Sequence, residues 1–115
     1  MADIQTIVNQ LGKLSVDLDN AVDLLCEIEE IAVDAEADYK KAFAEAFEGG
    51  IGPVESRKQQ AVIKCDKLYR ISGKAQAAVR KQVQHLRALH ARIEVGRTIQ
   101  STARAEIALT NAGVR

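Results

Sequence analysis

The chain of 115 residues contains no tryptophan, only two tyrosines and two phenylalanines, and a single proline. Since large rings are scarce and alanine is abundant, the composition suits closely packed helices. No stretch approaches the roughly 18 consecutive apolar residues that span a membrane. The first residues also lack the basic and apolar segments of a signal peptide. We therefore expect a soluble, cytoplasmic protein with no membrane partner.

Glycine and proline are concentrated at one place in the chain. Gly49, Gly50, Gly52 and Pro53 lie within five residues, a cluster that ends one helix and allows another to begin. Residues 1–50 hold three Lys/Arg and twelve Asp/Glu, a net charge of −9, whereas residues 51–115 hold thirteen and four, a net charge of +9. We predict one domain over residues 1–115, with an acidic arm over about 3–48, a turn over 49–53 and a basic arm over about 54–110.

Apolar residues recur along the first arm at alternating spacings of three and four. Such a pattern is typical of a coiled-coil helix when it extends beyond three or four heptads. Here it is unbroken, and its members are Ile4, Ile7, Leu11, Leu14, Leu18, Ala21, Leu25, Ile28, Ala32, Ala35, Tyr39, Ala42 and Ala46.

The second arm carries a weaker version of the same apolar stripe. Its members are Val54, Lys58, Ala61, Cys65, Leu68, Ser72, Ala75, Val79, Gln82, Leu86, Leu89, Ile93, Gly96, Gln100, Ala103 and Ile107. The pattern predicts a helix but leaves open whether that helix is continuous or breaks near Gly73 or Gly96. Together the two stripes predict an all-α fold, a long antiparallel helical hairpin that resembles a coiled coil.

The turn sets a register for this hairpin. We expect facing core pairs of Tyr39 with Ala61, Leu25 with Ala75, Leu11 with Leu89 and Ile7 with Ile93. On one flank this register brings opposite charges together, as Glu45 with Arg57, Asp38 with Lys64 and Asp17 with His85. Cys26 and Cys65 stay apart, so no disulfide is expected. Residues from Gln100 onward have no partner in the first arm and form a C-terminal helical overhang.

The other flank of the hairpin is apolar. Because a two-helix hairpin would leave these side chains in water, we predict that the chain assembles into a homo-oligomer. The candidate interface residues, including one from the overhang, are Val8, Val22, Phe43, Val62, Tyr69, Val83 and Ile107.

Motifs for catalysis or metal binding are poor. His85 and His90 are five residues apart and do not share a helix face, as two metal ligands on one helix would. The glycine-rich turn lacks the lysine of a phosphate-binding loop. We expect no enzyme activity, no metal and no cofactor.

Cations on the second arm are the stronger functional signal. Lys67, Lys74 and Lys81 recur every seven residues at outer positions of the heptad. Further candidates are Arg70, Arg80, Arg87, Arg97 and Arg104. A row of outward cations binds phosphate backbones without reading sequence, and base stacking would be limited to Tyr39 or Tyr69. The alternative is a solvated basic face that only keeps the protein soluble.

Three blocks of the second arm carry a family resemblance: Val54–Lys58 after the turn, the run Ala77–Gln100, and Ala103–Glu106. In layout they resemble small helical bacteriophage proteins that are placed near UvsY-type recombination mediators. The resemblance implies an oligomeric helical protein of the host cytoplasm that binds single-stranded DNA. It also implies two protein partners, a recombinase and the single-strand-binding protein that coats the strand onto which the recombinase is loaded.

The competing hypothesis is a structural or adaptor protein. In that case the apolar flank and the overhang would bind a protein partner, and nucleic acid would play no part.

Overall fold

The computed structural model describes residues 3–113, and the described chain is all-α. Helix α1 spans Ile4–Glu48, α2 spans Val54–Lys64 and α3 spans Asp66–Gly113. The predicted long helical hairpin is confirmed, with α1 as the first arm and α2 and α3 as the second. The predicted limits of both arms agree with the observed ones to within a few residues.

The apolar stripe of α1 is its packed face. Every stripe position from Ile4 to Ala46 is buried or half-buried, and Ile7, Ala21, Ala32 and Ala46 are buried most deeply. Most acidic side chains of α1 are exposed. The alternation of three and four thus places apolar groups on one side and carboxylates on the others.

The turn depends on a glycine, Gly52, and on the side chain of a glutamine, Gln60. Gly52 has φ +100°, a left-handed conformation that side chains with a β-carbon rarely adopt. The backbone N–H of Ile51 donates to Oε1 of Gln60 at 3.2 Å, and Nε2 of Gln60 donates to the carbonyl of Ile51 at 2.8 Å. These two hydrogen bonds tie the turn to α2.

The second arm is interrupted at Cys65, and not near Gly73 or Gly96, both of which lie inside α3. Cys65 has φ −101° and ψ 10°. Its N–H still donates to the Ala61 carbonyl, and its own carbonyl accepts from the N–H of Tyr69, both at 2.9 Å. Backbone hydrogen bonds therefore continue on both sides of a one-residue irregularity.

The chain forms two compact units. The turn unit comprises residues 24–82, and its core is a cluster of Ala46, Ala61 and Cys65, with Tyr39, Ala42, Phe43 and Phe47 packed against it. The terminal unit comprises the residues up to Asp23 and those from Val83 onward. Its buried residues are Ile7, Ala21, Leu89 and Ile93.

The predicted register is wrong by one heptad in both units. In the terminal unit Leu11 lies against Gly96, where an added β-carbon would be 2.6 Å from Cδ2 of Leu11, and not opposite Leu89. In the turn unit the ring of Tyr39 meets that of Tyr69 at 5.4 Å between centroids. When one arm slides along the other by seven residues, the same stripe stays buried. The spacing of apolar residues therefore does not distinguish the two registers.

The first helical turn of α2 explains the displacement. Val54 and Lys58 belong to the predicted packed stripe but are exposed. The chain uses this helical turn, in addition to the glycine-rich loop, to pass from one arm to the other. The first buried residue of the second arm is therefore Ala61, which joins Ala46 in the core.

The displaced register also removes the predicted ion pairs. None forms between Glu45 and Arg57, Asp38 and Lys64, or Asp17 and His85, all of which are described residues. The guanidinium of Arg57 lies over the ring of Phe47 instead, 4.8 Å from its centroid. The ion pairs found within residues 3–113 join neighbours on one helix: Glu36 with Lys40, Asp66 with Arg70, and Glu94 with Arg97.

Candidate nucleic-acid interface

The three lysines that recur every seven residues are exposed on α3 in the turn unit. At a rise of 1.5 Å per residue, Lys67, Lys74 and Lys81 follow one another at intervals of about 10 Å along the helix. At about 100° per residue, Arg70 falls within about 60° of them around the helix axis. These four side chains form one strip, which we call the basic strip, while Arg80 lies further around the same outer surface.

Carboxylates are missing from this part of the sequence. From residue 67 to residue 93 there is no Asp or Glu, and there are seven Lys or Arg: Lys67, Arg70, Lys74, Arg80, Lys81, Arg87 and Arg92. Positive charge is therefore not offset along the helix itself. The carboxylates that bound the segment are Asp66 and Glu94, one at each end.

Most of the candidate cations have no carboxylate partner within residues 3–113. Two are paired: Nε of Arg70 is 2.9 Å from Oδ2 of Asp66, and Arg97 is 3.3 Å from Glu94. Both pairs are exposed, and such pairs contribute only about 0–1 kcal/mol to stability. A phosphate can therefore displace the carboxylate from the arginine. The other candidates are exposed and form no ion pair in the part of the chain that the structure describes: Lys67, Lys74, Arg80, Lys81, Arg87 and Arg104.

The candidates are divided between the two units. The turn unit holds Lys67, Arg70, Lys74, Arg80 and Lys81, and the terminal unit holds Arg87, Arg97 and Arg104. Arg104 lies where burial along α3 has ended, because Ala103 is half-buried and every residue from Arg104 to Gly113 is exposed. The basic strip of the turn unit is the densest group of cations on the helix.

An open groove borders the strip in the turn unit. It has a volume of about 550 Å³, and its lining includes Tyr39, Tyr69, Arg70, Gly73 and Lys74. The rings of Tyr39 and Tyr69 meet edge to face at 62°, and Tyr39 meets Phe43 in the same way at 6.1 Å. The predicted register placed Tyr39 opposite Ala61 and therefore could not reveal this groove.

The predicted oligomer interface is only partly exposed. Val8, Val22, Val62, Tyr69 and Ile107 are exposed, whereas Phe43 and Val83 are half-buried. Phe43 packs against the core cluster of its own unit. Other apolar side chains are more exposed than these and were not singled out from the sequence, among them Val33 at 66%, Ile63 at 76% and Leu109 at 74%.

Other candidate chemistry is sparse. Cys26 is exposed, Cys65 is buried and both are free thiols. Within residues 3–113, there is no group of three or more His, Cys, Asp or Glu side chains that could hold a metal ion. Over the same residues, none of the helices combines the length and the apolar character needed to cross a membrane.

Comparisons of the chain with protein-family models, with curated proteins and with solved structures found no match. The resemblance to phage recombination mediators therefore rests on the sequence blocks of the second arm alone.

Proposed function

We propose that the protein binds single-stranded DNA without reading its sequence, as a non-enzymatic accessory in recombination or replication that helps to load a recombinase. The observation that carries the proposal is the basic strip: Lys67, Lys74 and Lys81 are exposed, evenly spaced and without carboxylate partners among residues 3–113. Lysine and arginine that neutralise phosphates release counterions, and this release supplies affinity that does not depend on base identity.

The distribution of charge restricts where a strand can lie. Residues 17–38 of α1 include nine Asp or Glu and no Lys or Arg. This segment repels a polyanion, and the outer face of α3 attracts it. At physiological salt both interactions extend over about 8 Å, so they act on a strand that lies close to the surface. The strand should therefore follow α3 only.

The basic strip of a single chain is short, so self-association would help the protein to bind a strand. Lys67 and Lys81 are about 21 Å apart along the helix axis. Several copies on one strand would raise the overall affinity by multivalency without any new contact. The exposed apolar residues Val22 and Val62 support the proposal of a homo-oligomer. The recombinase and the single-strand-binding protein are proposed partners on the resemblance alone.

Fluorescence anisotropy with a labelled single-stranded oligonucleotide tests the proposal. Replacing Lys67, Lys74 and Lys81 together by glutamine should weaken binding at least tenfold at low salt. It should also reduce the slope of log affinity against log salt by about 2, since each phosphate contact on a single strand contributes about 0.7. Circular dichroism should show an unchanged helix content, because all three side chains are exposed.

The matched control removes the same charge from other exposed positions, as the triple variant K13Q, K41Q and K58Q. It should retain most of the affinity. Equal losses in the two triple variants would show that only net charge matters, and an absence of binding by the parent protein at about 50 mM salt would refute DNA binding.

The second candidate function is that of a structural or adaptor protein. It is favoured by the large exposed apolar side chains, such as Val33 and Ile63. Light scattering at micromolar concentration tests the oligomer that both functions use, and a clean monomer would exclude it. Isolation of a stoichiometric protein complex free of nucleic acid would favour the adaptor.

A further inference from the structure

We infer that the groove between α1 and α3 in the turn unit is a nucleobase site, in which a base of the bound strand stacks on Tyr69. This inference rests on the proposed function and adds to it, because binding to the basic strip alone would involve only phosphates. The site would contribute affinity for any base, since every base has a flat π-face.

The side chain of Tyr69 is exposed but held in place. It is 60% exposed, although its ring is held against Tyr39 at 5.4 Å. Tyr39 is itself half-buried and packs against the core cluster. The backbone N–H of Tyr69 donates to the carbonyl of Cys65 at 2.9 Å, which fixes the start of α3. Tyr69 is thus a supported ring with most of its surface in water, and stacking on it costs little side-chain entropy.

The groove is also lined by cations. Arg70 and Lys74 of the basic strip line it, so a nucleotide whose base contacts Tyr69 has cations near its phosphate. The carboxylate of Glu36 also lines the groove, but Lys40 lies 3.2 Å from it and offsets its charge. Aromatic rings beside a cationic groove are the combination that single-strand-binding proteins use.

The size and the polarity of the groove also suit a nucleobase. A β-carbon at Gly73 would meet nothing within 4 Å, so the wall is open there. The volume of about 550 Å³ lies within the range of about 300–1,000 Å³ in which small ligands bind. Ser72 and Gln76, joined by a hydrogen bond of 3.1 Å, add amide and hydroxyl groups to the wall. A planar base attached to a phosphate matches this mixture better than an aliphatic side chain does.

The composition of the protein supplies a specific probe. The chain has two tyrosines and no tryptophan, and both tyrosines line this groove. Tyrosine fluorescence of the intact protein therefore reports on the groove alone. Titration with a single-stranded oligodeoxythymidine should quench it, whereas an abasic oligonucleotide of equal length should not. The oligodeoxythymidine should also bind about five- to 140-fold more tightly than the abasic strand, the ratio expected from stacking of one base.

Two variants separate stacking from folding. Tyr69→Phe keeps a ring and should retain the preference for the strand with bases, whereas Tyr69→Leu should abolish it. Tyr69→Leu should bind the abasic strand as the parent does, because the phosphate contacts remain. Retained affinity for the abasic strand also shows that the leucine variant is folded.

The outcomes distinguish the two proposals. If neither strand binds, the proposed DNA-binding function fails, and this inference fails with it. If both strands bind equally and tyrosine fluorescence stays constant, phosphate binding stands and the nucleobase site is refuted. If Tyr69→Leu dissociates an oligomer while the preference for bases is unchanged, the groove is a subunit contact and the inference is overturned.

Discussion

Gly12 and Gly96 lie inside helices of the terminal unit, but in different surroundings. A methyl group at Gly12 would meet nothing within 4 Å, whereas at Gly96 it would lie 2.6 Å from Cδ2 and 3.3 Å from Cγ of Leu11. Replacing each glycine by alanine should therefore change the free energy of unfolding in opposite directions.

The magnitudes follow from two opposing effects. Alanine is favoured over glycine inside a helix by about 1 kcal/mol, and at Gly12 nothing opposes this gain. At Gly96 the added methyl group overpacks the contact with Leu11, at a typical cost of about 1–3 kcal/mol. Gly12→Ala should thus stabilise the protein by about 1 kcal/mol. At Gly96 the overpacking cost, taken as about 2 kcal/mol, exceeds the gain of about 1 kcal/mol from alanine. Gly96→Ala should therefore destabilise the protein by about 1 kcal/mol.

A double-mutant cycle isolates the contact. Leu11→Ala removes the atoms that the new methyl group meets, so Gly96→Ala should become stabilising by about 1 kcal/mol in that background. The effect of Gly96→Ala would then differ between the two backgrounds by about 2 kcal/mol, within the range of roughly 0.5–3 kcal/mol for residues in contact.

The assay is urea unfolding followed by far-ultraviolet circular dichroism. All variants need the same protein concentration, because association would add to the apparent stability. A shift in the midpoint with an unchanged dependence on urea indicates a change in stability. If Gly96→Ala stabilises the parent as much as Gly12→Ala does, the side chain of Leu11 is not held against Gly96, and the expected overpacking is refuted.

Other predictions concern the turn unit. Gly52→Ala should destabilise the protein by about 1–3 kcal/mol, since φ is +100° there, and a lower urea midpoint would show it. Ala61→Leu should lower the urea midpoint by overpacking a fully buried site, at a cost of about 1–3 kcal/mol, whereas Ala44→Leu at an exposed position should change stability by less than about 0.5 kcal/mol. A thiol reagent should modify exposed Cys26 at once and buried Cys65 only when the unit opens. Rapid modification of both thiols, or equal effects of the two leucine variants, would contradict the core described for this unit.

The sequence was sufficient for the helices and their packed face, and insufficient for the register. Spacing of three and four identifies the buried stripe because it depends only on helix periodicity. Sliding one arm by a heptad leaves that periodicity unchanged, so the choice depends on particular contacts near the turn. Those contacts are the small residues Ala46 and Ala61 and the hydrogen bonds between Gln60 and Ile51. The spacing of apolar residues along the sequence predicts none of these contacts.

The same error limited what could be predicted about the site. Exposure of Lys67, Lys74 and Lys81 follows from their heptad positions, which a slide does not alter. The groove depends on which residues of the two arms meet, and the predicted register separated Tyr39 from Tyr69. The break at Cys65 was also missed, because a buried cysteine resembles any small apolar residue in a stripe.

The distribution of aromatic residues bears on why the groove can serve as a site. All the phenylalanine and tyrosine residues of the chain, Tyr39, Phe43, Phe47 and Tyr69, belong to the turn unit. The buried residues of the terminal unit, Ile7, Ala21, Leu89 and Ile93, all carry aliphatic side chains. Aromatic side chains bury more area than other residues, and their paired rings add about 0.5–1.5 kcal/mol each. A binding group is more effective when neighbouring side chains hold it in place before the ligand arrives. The proposed stacking residue therefore lies where the chain can best support an exposed ring.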